Sequence, residues 1–120
     1  MTTTLEANPF VEFTIDQGSY FSRIVQCFDL LDQLIDFTNC TARMQIRRTA
    51  QSPIVLLEAT NANGKLSLGT VDGNIMISLL ATDTALLTSD GILDCKVTFP
   101  SGEVITAFSG NVSLNLAVTR

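Results

Sequence analysis

The stretch TARMQIRR, Thr41 to Arg48, decides the fold. Taken two residues at a time, it separates into Ala42, Met44 and Ile46 on one side and Arg43, Gln45 and Arg47 on the other, with Arg48 beyond. A period of two marks an extended segment with one face in an apolar interior and the other in water. The wet face carries guanidinium groups, although the chain as a whole is acidic, with 12 Asp and Glu against 7 Lys and Arg and a net charge of -5.

Working outward, the same alternation returns along most of the chain. FVEFTI (Phe10 to Ile15) sets Phe10, Glu12 and Thr14 against Val11, Phe13 and Ile15. YFSRIVQCF (Tyr20 to Phe28) is rich in aromatic and β-branched residues, which suit a pleated surface. IVLLEAT (Ile54 to Thr60) and KLSLG (Lys65 to Gly69) read as further strands, and GNIMISLL turns Ile75, Ile77 and Leu79 inward. GILDCKVTF (Gly91 to Phe99) places Leu93, Cys95, Val97 and Phe99 on one face. EVITAFSG and NVSLNLAVT follow, with a bulge or bend expected at Gly110 and with Val112, Leu114, Leu116 and Val118 inward.

The punctuation between these runs is turn chemistry: DQGS, TAQSP, NANG (Asn61 to Gly64), Asp72-Gly73 and Pro100-Ser101-Gly102. Two segments break the alternation. DLLDQLIDFTN (Asp29 to Asn39) has Leu30, Leu31, Leu34 and Ile35 at helical spacing but is short for an isolated helix. It reads as a connecting loop that packs Leu34 and Phe37 on the sandwich end. ATDTALL (Ala81 to Leu87) reads as one helical turn capped by Thr82. The pattern predicts an all-β chain: an immunoglobulin-like antiparallel β-sandwich of seven to nine short strands with one short helical turn. At 120 residues it suits one domain, with residues 1–8 expected as a flexible arm and 9–120 as the sandwich.

Composition narrows the chemistry. No apolar run nears the roughly 20 residues of a membrane helix, and MTTTLEANPF lacks the basic and apolar regions of a signal peptide, so synthesis in a cytosol is expected. The acidic balance argues against nucleic acid as a partner. There is no histidine, which removes the commonest general base and both the Ser-His-Asp and Cys-His arrangements. Acids such as Glu12, Asp16, Asp94 and Glu103 fall at outward or turn positions and read as solvated. No catalytic, cofactor or metal residue is assigned. An EF-hand frame over TNANGKLSLGT fails, because it puts Ala59 and Thr70 at the first and last ligand positions. Asn39-Cys40-Thr41 and Asn111-Val112-Ser113 fit the glycosylation sequon and, without a secretory signal, read as coincidence.

Cys27, Cys40 and Cys95 show no metal-binding spacing. Cys27 and Cys95 are separated much as an inter-sheet disulfide would be, yet a cytosolic chain keeps thiols reduced; a disulfide and a pair of small apolar core residues both remain open. The arginine stripe has two readings as well. It is a solvated strand face with cross-strand acid partners such as Glu58, or Arg43, Arg47 and Arg48 form a docking face for another protein.

A longer pattern surrounds TARMQIR. IDQGSYFSRIVQ precedes LIDFTNCTARMQIRR, and IVLLEATNANGKLSLG, GNIMISLLATDTALL, GILDCKVTFPSGEV and a terminal VTR follow in order. This succession, over about residues 13–120, resembles a family of small virion proteins from tailed bacteriophages, and is similar to the N-terminal β-sandwich module of phage upper baseplate proteins. Asn39-Cys40 stands where the family has Gly-Tyr, Leu93 where it has tyrosine, and Asn115 to Ala117 where it has Ser-Pro-Glu. The resemblance implies a non-enzymatic structural subunit of a virion, made in the host cytoplasm. It would be a tail or baseplate adaptor or fibre-attachment protein that meets other virion proteins as a symmetric homo-oligomer, and would be the module alone without a fibre-forming extension. Capsid decoration is the alternative within that class, and a carbohydrate-binding sandwich the alternative outside it. The second is disfavoured by one tyrosine and no tryptophan.

Overall fold

The computed structural model describes residues 9–119. Eight strands follow one another: β1 (Phe10–Asp16), β2 (Phe21–Gln26), β3 (Thr41–Arg47), β4 (Leu57–Thr60), β5 (Leu66–Leu68), β6 (Asn74–Leu79), β7 (Gly91–Thr98) and β8 (Val104–Asn115), with one helical turn, α1 (Ala81–Thr84), between β6 and β7. They form a five-stranded sheet in the order β1-β8-β7-β3-β4 and a three-stranded sheet in the order β2-β6-β5. The grouping of β2, β6 and β5 against β3, β7 and β8, with β4 added beyond β3, is an immunoglobulin-like strand order. The chain is an all-β sandwich.

Its core is the set of inward positions that alternation selects. Phe13 and Ile15 from β1, Ala42, Met44 and Ile46 from β3, Ile75, Ile77 and Leu79 from β6, and Leu93, Cys95 and Val97 from β7 are all buried. The two sheets therefore bury one side each, which is the physical content of the period of two.

Several expectations need correction. The sandwich is not wholly antiparallel: β1 runs parallel to β8, from Phe10 opposite Ser109 to Asp16 opposite Asn115. The break in the last strand lies before Gly110. Along β7 and β8, Cys95 faces Phe108 but Lys96 faces Thr106, so Ala107 is an extra residue in β8. Ala107 and Phe108 are neighbours and both fully buried, which a straight strand cannot achieve. The bulge moves the inward set from Ile105 and Ala107 to Phe108, Gly110 and Val112. Gly110 answers a different demand, since a Cβ there would collide with the carbonyl oxygen of Val11 in the parallel neighbour. Beyond Asn115 the strand ends, and Leu116 and Val118, expected inward, are exposed.

Other boundaries shift too. The fourth strand begins only at Leu57, leaving Ile54 and Val55 exposed, because Arg47 and Ser52 organise the preceding turn. Thr82 does not cap α1. The N-cap position is Leu80, whose N–H donates to the Asp83 carboxylate at 2.8 Å, while Thr84 is buried and donates its hydroxyl to Ser19 O at 2.7 Å. The expected arm, residues 1–8, lies outside the described residues.

Candidate interaction surfaces

The arginine stripe resolves into three different situations. Arg43 lies directly opposite Thr60 of β4 and Lys96 of β7. Its Nε meets Glu58 Oε2 at 3.1 Å while the side chain stays largely in solvent. The other Glu58 neighbour is Gln45, whose Nε2 donates to Oε2 at 2.7 Å. Gln45 Oε1 in turn accepts from Arg47 Nη2 at 2.9 Å, and Arg47 Nη1 donates to Ser52 O at 2.6 Å. Arg47 is half-buried and clamps the β3–β4 connection. Arg48 lies past the strand end and donates through Nε to Ser89 Oγ at 3.3 Å. Arg43 and Arg47 thus share the outer face of β3 but differ in what they bond, and Arg48 lies beyond the strand. Arg43 is the one that looks outward, over an open hollow of about 790 Å³ lined by Thr41, Glu58, Thr60, Asn63 and Lys96.

Lys96 Nζ donates to Thr106 Oγ1 at 2.6 Å, which holds the second cation of that hollow against β8. The asparagines of NANG are occupied by backbone. Asn61 Oδ1 accepts from Ala42 N–H at 3.0 Å, and Asn63 Oδ1 accepts from Thr60 and Lys65 N–H at 2.9 and 3.0 Å. They fix the crossing from β4 in one sheet to β5 in the other. Among the described residues no group of three His, Cys, Asp or Glu converges to hold a metal ion, and no helix is long and apolar enough to cross a membrane.

The sheet edges are managed in different ways. β4 and β5 form one flank and are very short, four and three residues. β1 and β2 form the other. There Arg23 shares the inward parity of Phe21 and Val25, and its guanidinium lies 5.4 Å from the Phe13 ring centre and 5.1 Å from that of Phe21. An inward-pointing charge on an edge strand deters a further strand from adding there, and the rings give it a favourable site. Sequence reasoning passed over Arg23, although its parity with two core residues was the available signal.

The two ends of the sandwich carry exposed apolar side chains. At one end are Tyr20, Leu80, Leu86 and Leu116. At the other, the β2–β3 connection packs Ile35 and Phe37 into the core, where the sequence pointed to Leu34 and Phe37, and leaves Phe28 and Leu34 partly exposed. Leu30 and Leu31 are 63% and 65% exposed. The backbone here is ordered by hydrogen bonds: Asp29 N–H to Gln33 O at 2.8 Å, Asp32 N–H to Asp29 O at 3.0 Å, and Phe28 bridged to Leu34. Asp29 Oδ1 accepts from the N–H groups of Leu31 and Gln33 at 2.8 and 3.0 Å. Asp36 accepts both the hydroxyl and the N–H of Thr38, and these bonds hold its carboxyl below its ordinary range.

All three cysteines are free and buried. Burial, first of all, pushes the Cys95 thiol up to about 12, and burial pushes Cys27 up to about 11, so both are neutral, apolar core groups near neutral pH. No family model matches the chain, and no curated protein is significantly similar to it.

Proposed function

We propose that the protein is a non-enzymatic structural subunit that works through protein–protein contacts. The observation that carries this reading is the apolar surface at the two ends of a small sandwich: Leu30, Leu31 and Phe28 at one, Leu80, Leu86 and Leu116 at the other. Exposed large apolar groups gathered at the ends of so small a domain are candidate sites of association. The chain brings no histidine to any site, and its three cysteines are free and buried.

Together with the resemblance of the TARMQIR pattern to small virion proteins, this supports the reading of the chain as a tail or baseplate adaptor of a tailed bacteriophage particle. Arg43 remains the arginine suited to a partner contact, because Arg47 and Arg48 are turned to the chain's own loops. The test is mass spectrometry and a particle reconstruction of gradient-purified phage. The chain is expected in a copy number set by the particle symmetry, with Arg43→Ala folding normally and entering particles less often. Its absence from purified particles would refute the reading.

A further inference from the structure

The β2–β3 connection does something that a linker need not do. A connection of this length can be satisfied by polar turn residues, which solvate themselves and their backbone. Here the two residues at the apex are leucines, and they are the most exposed of the loop's apolar groups. Their backbone is also held firmly. The Asp29 carboxylate accepts two N–H groups of the same turn, the Asp29–Gln33 and Asp32–Asp29 backbone bonds close it, and Asp32 sits in the left-handed region at φ 60. Below the apex, Ile35 and Phe37 anchor the connection in the core. The result is a knuckle whose backbone has already lost the conformational freedom that binding would otherwise remove.

The charges around the tip have one sign. Asp29, Asp32 and Asp36 all lie within eight residues, and no Lys or Arg occurs between Arg23 and Arg43. An occupant must therefore offer apolar contact at the centre and positive charge at the border. A second copy of this chain is a poor match, since it would bring the same aspartates against these and already carries a net charge of -5. We infer that the Phe28–Leu34 knuckle is a docking surface for a different protein that presents an apolar pocket bordered by lysine or arginine, with Leu30 and Leu31 as the inserted side chains. This rests on the reading of the chain as an assembly subunit and names the surface through which it would assemble.

The test is an NMR titration of the full chain with a defined probe: a 14-residue amphipathic helical peptide of leucine and lysine, against a counterpart with glutamate replacing lysine. The basic peptide is expected to shift amide signals of residues 28–36 and not those of the distant α1 end, and the acidic peptide to shift neither. Leu30→Ser with Leu31→Ser should weaken the basic peptide at least about tenfold while leaving the melting temperature unchanged. Asp32→Asn, which keeps a residue tolerant of positive φ, should weaken binding and flatten its salt dependence; it also decides the matter if the serine pair disturbs the fold.

Shifts spread across the acidic surface, equal binding of the acidic peptide, or full binding by the folded serine pair would overturn the inference. So would sedimentation in which the wild type self-associates and the serine pair does not, because the occupant is then a second copy. In particles, equal incorporation of wild type and serine pair removes this inference and leaves the assembly reading standing, whereas absence of the wild type removes the assembly reading.

Discussion

Replacing Phe108 by alanine, and Ala107 by leucine, tests the feature of the fold hardest to foresee. Both residues are fully buried although they are consecutive, because Ala107 is the extra residue of the β8 bulge. Phe108 packs edge-on against Phe13 with ring centres 6.5 Å apart. Removing a buried phenylalanine side chain costs about 3–5 kcal/mol through lost transfer energy and the cavity left behind. Enlarging Ala107 costs about 1–3 kcal/mol through overpacking. With a urea dependence of about 2 kcal/mol/M, Phe108→Ala should lower the denaturation midpoint by about 1.5–2.5 M and Ala107→Leu by about 0.5–1.5 M. Asn111→Ala, at an exposed site on the same strand, should stay within about 0.5 kcal/mol. The assay is equilibrium urea unfolding followed by circular dichroism. In an unbulged strand one of the two neighbours must face water, so a neutral result at either Phe108 or Ala107 would refute the register step and the inward set that depends on it.

Arg23→Met keeps the apolar stem but removes the cation from the Phe13 and Phe21 rings; two exposed contacts of about 0.5–1 kcal/mol each predict a loss of about 1–2 kcal/mol and more self-association at the β1–β2 flank. Melting curves and light scattering check this, and a variant as stable as the wild type and no more self-associated contradicts it. The buried thiols give a pH dependence: because the folded values of Cys27 and Cys95 lie above the ordinary 9.0, their stabilising contribution is complete below about pH 9 and is lost as pH rises toward 11–12. The melting temperature should fall over that alkaline range, less steeply in Cys95→Ala, and a thiol reagent at pH 8 should label Cys27 and Cys95 only on unfolding.

What was legible in the sequence was whatever depended on alternation alone. Ala42, Met44 and Ile46 face inward as their spacing requires, and Glu58 is the cross-strand partner of the arginine stripe because β3 and β4 are antiparallel neighbours. The bulge was hidden because Ala107 and Phe108 are compatible with either parity, and only the pairing with β7 decides between them. The parallel placement of β1 was hidden for a related reason: Gly110 could be a bend or a point of close approach, and the carbonyl of Val11 is what selects the second. The arginines look like one group in the sequence because Arg43 and Arg47 share a face of one strand and Arg48 follows directly. The division among Glu58, Ser52 and Ser89 follows from loops whose course no local pattern records.

The same reasoning favours the ends of this sandwich over its edges as the surfaces for the proposed association. An added strand needs an extended run of unpaired backbone with an unobstructed side. On one flank β4 and β5 are too short to supply it, and on the other the exposed Arg23 guanidinium lies over the Phe13 and Phe21 rings of β1 and β2, a charge that a further strand would have to desolvate. The outer face of the five-stranded sheet ties Ser52, Arg47, Gln45 and Glu58 to one another, so a partner there must displace existing bonds and finds only the largely exposed Arg43 ready to engage. At the ends no such exchange is required. Leu30 and Leu31 stand clear of the core on a turn that is already closed, and covering them gains apolar burial while leaving every bond that shapes the turn intact.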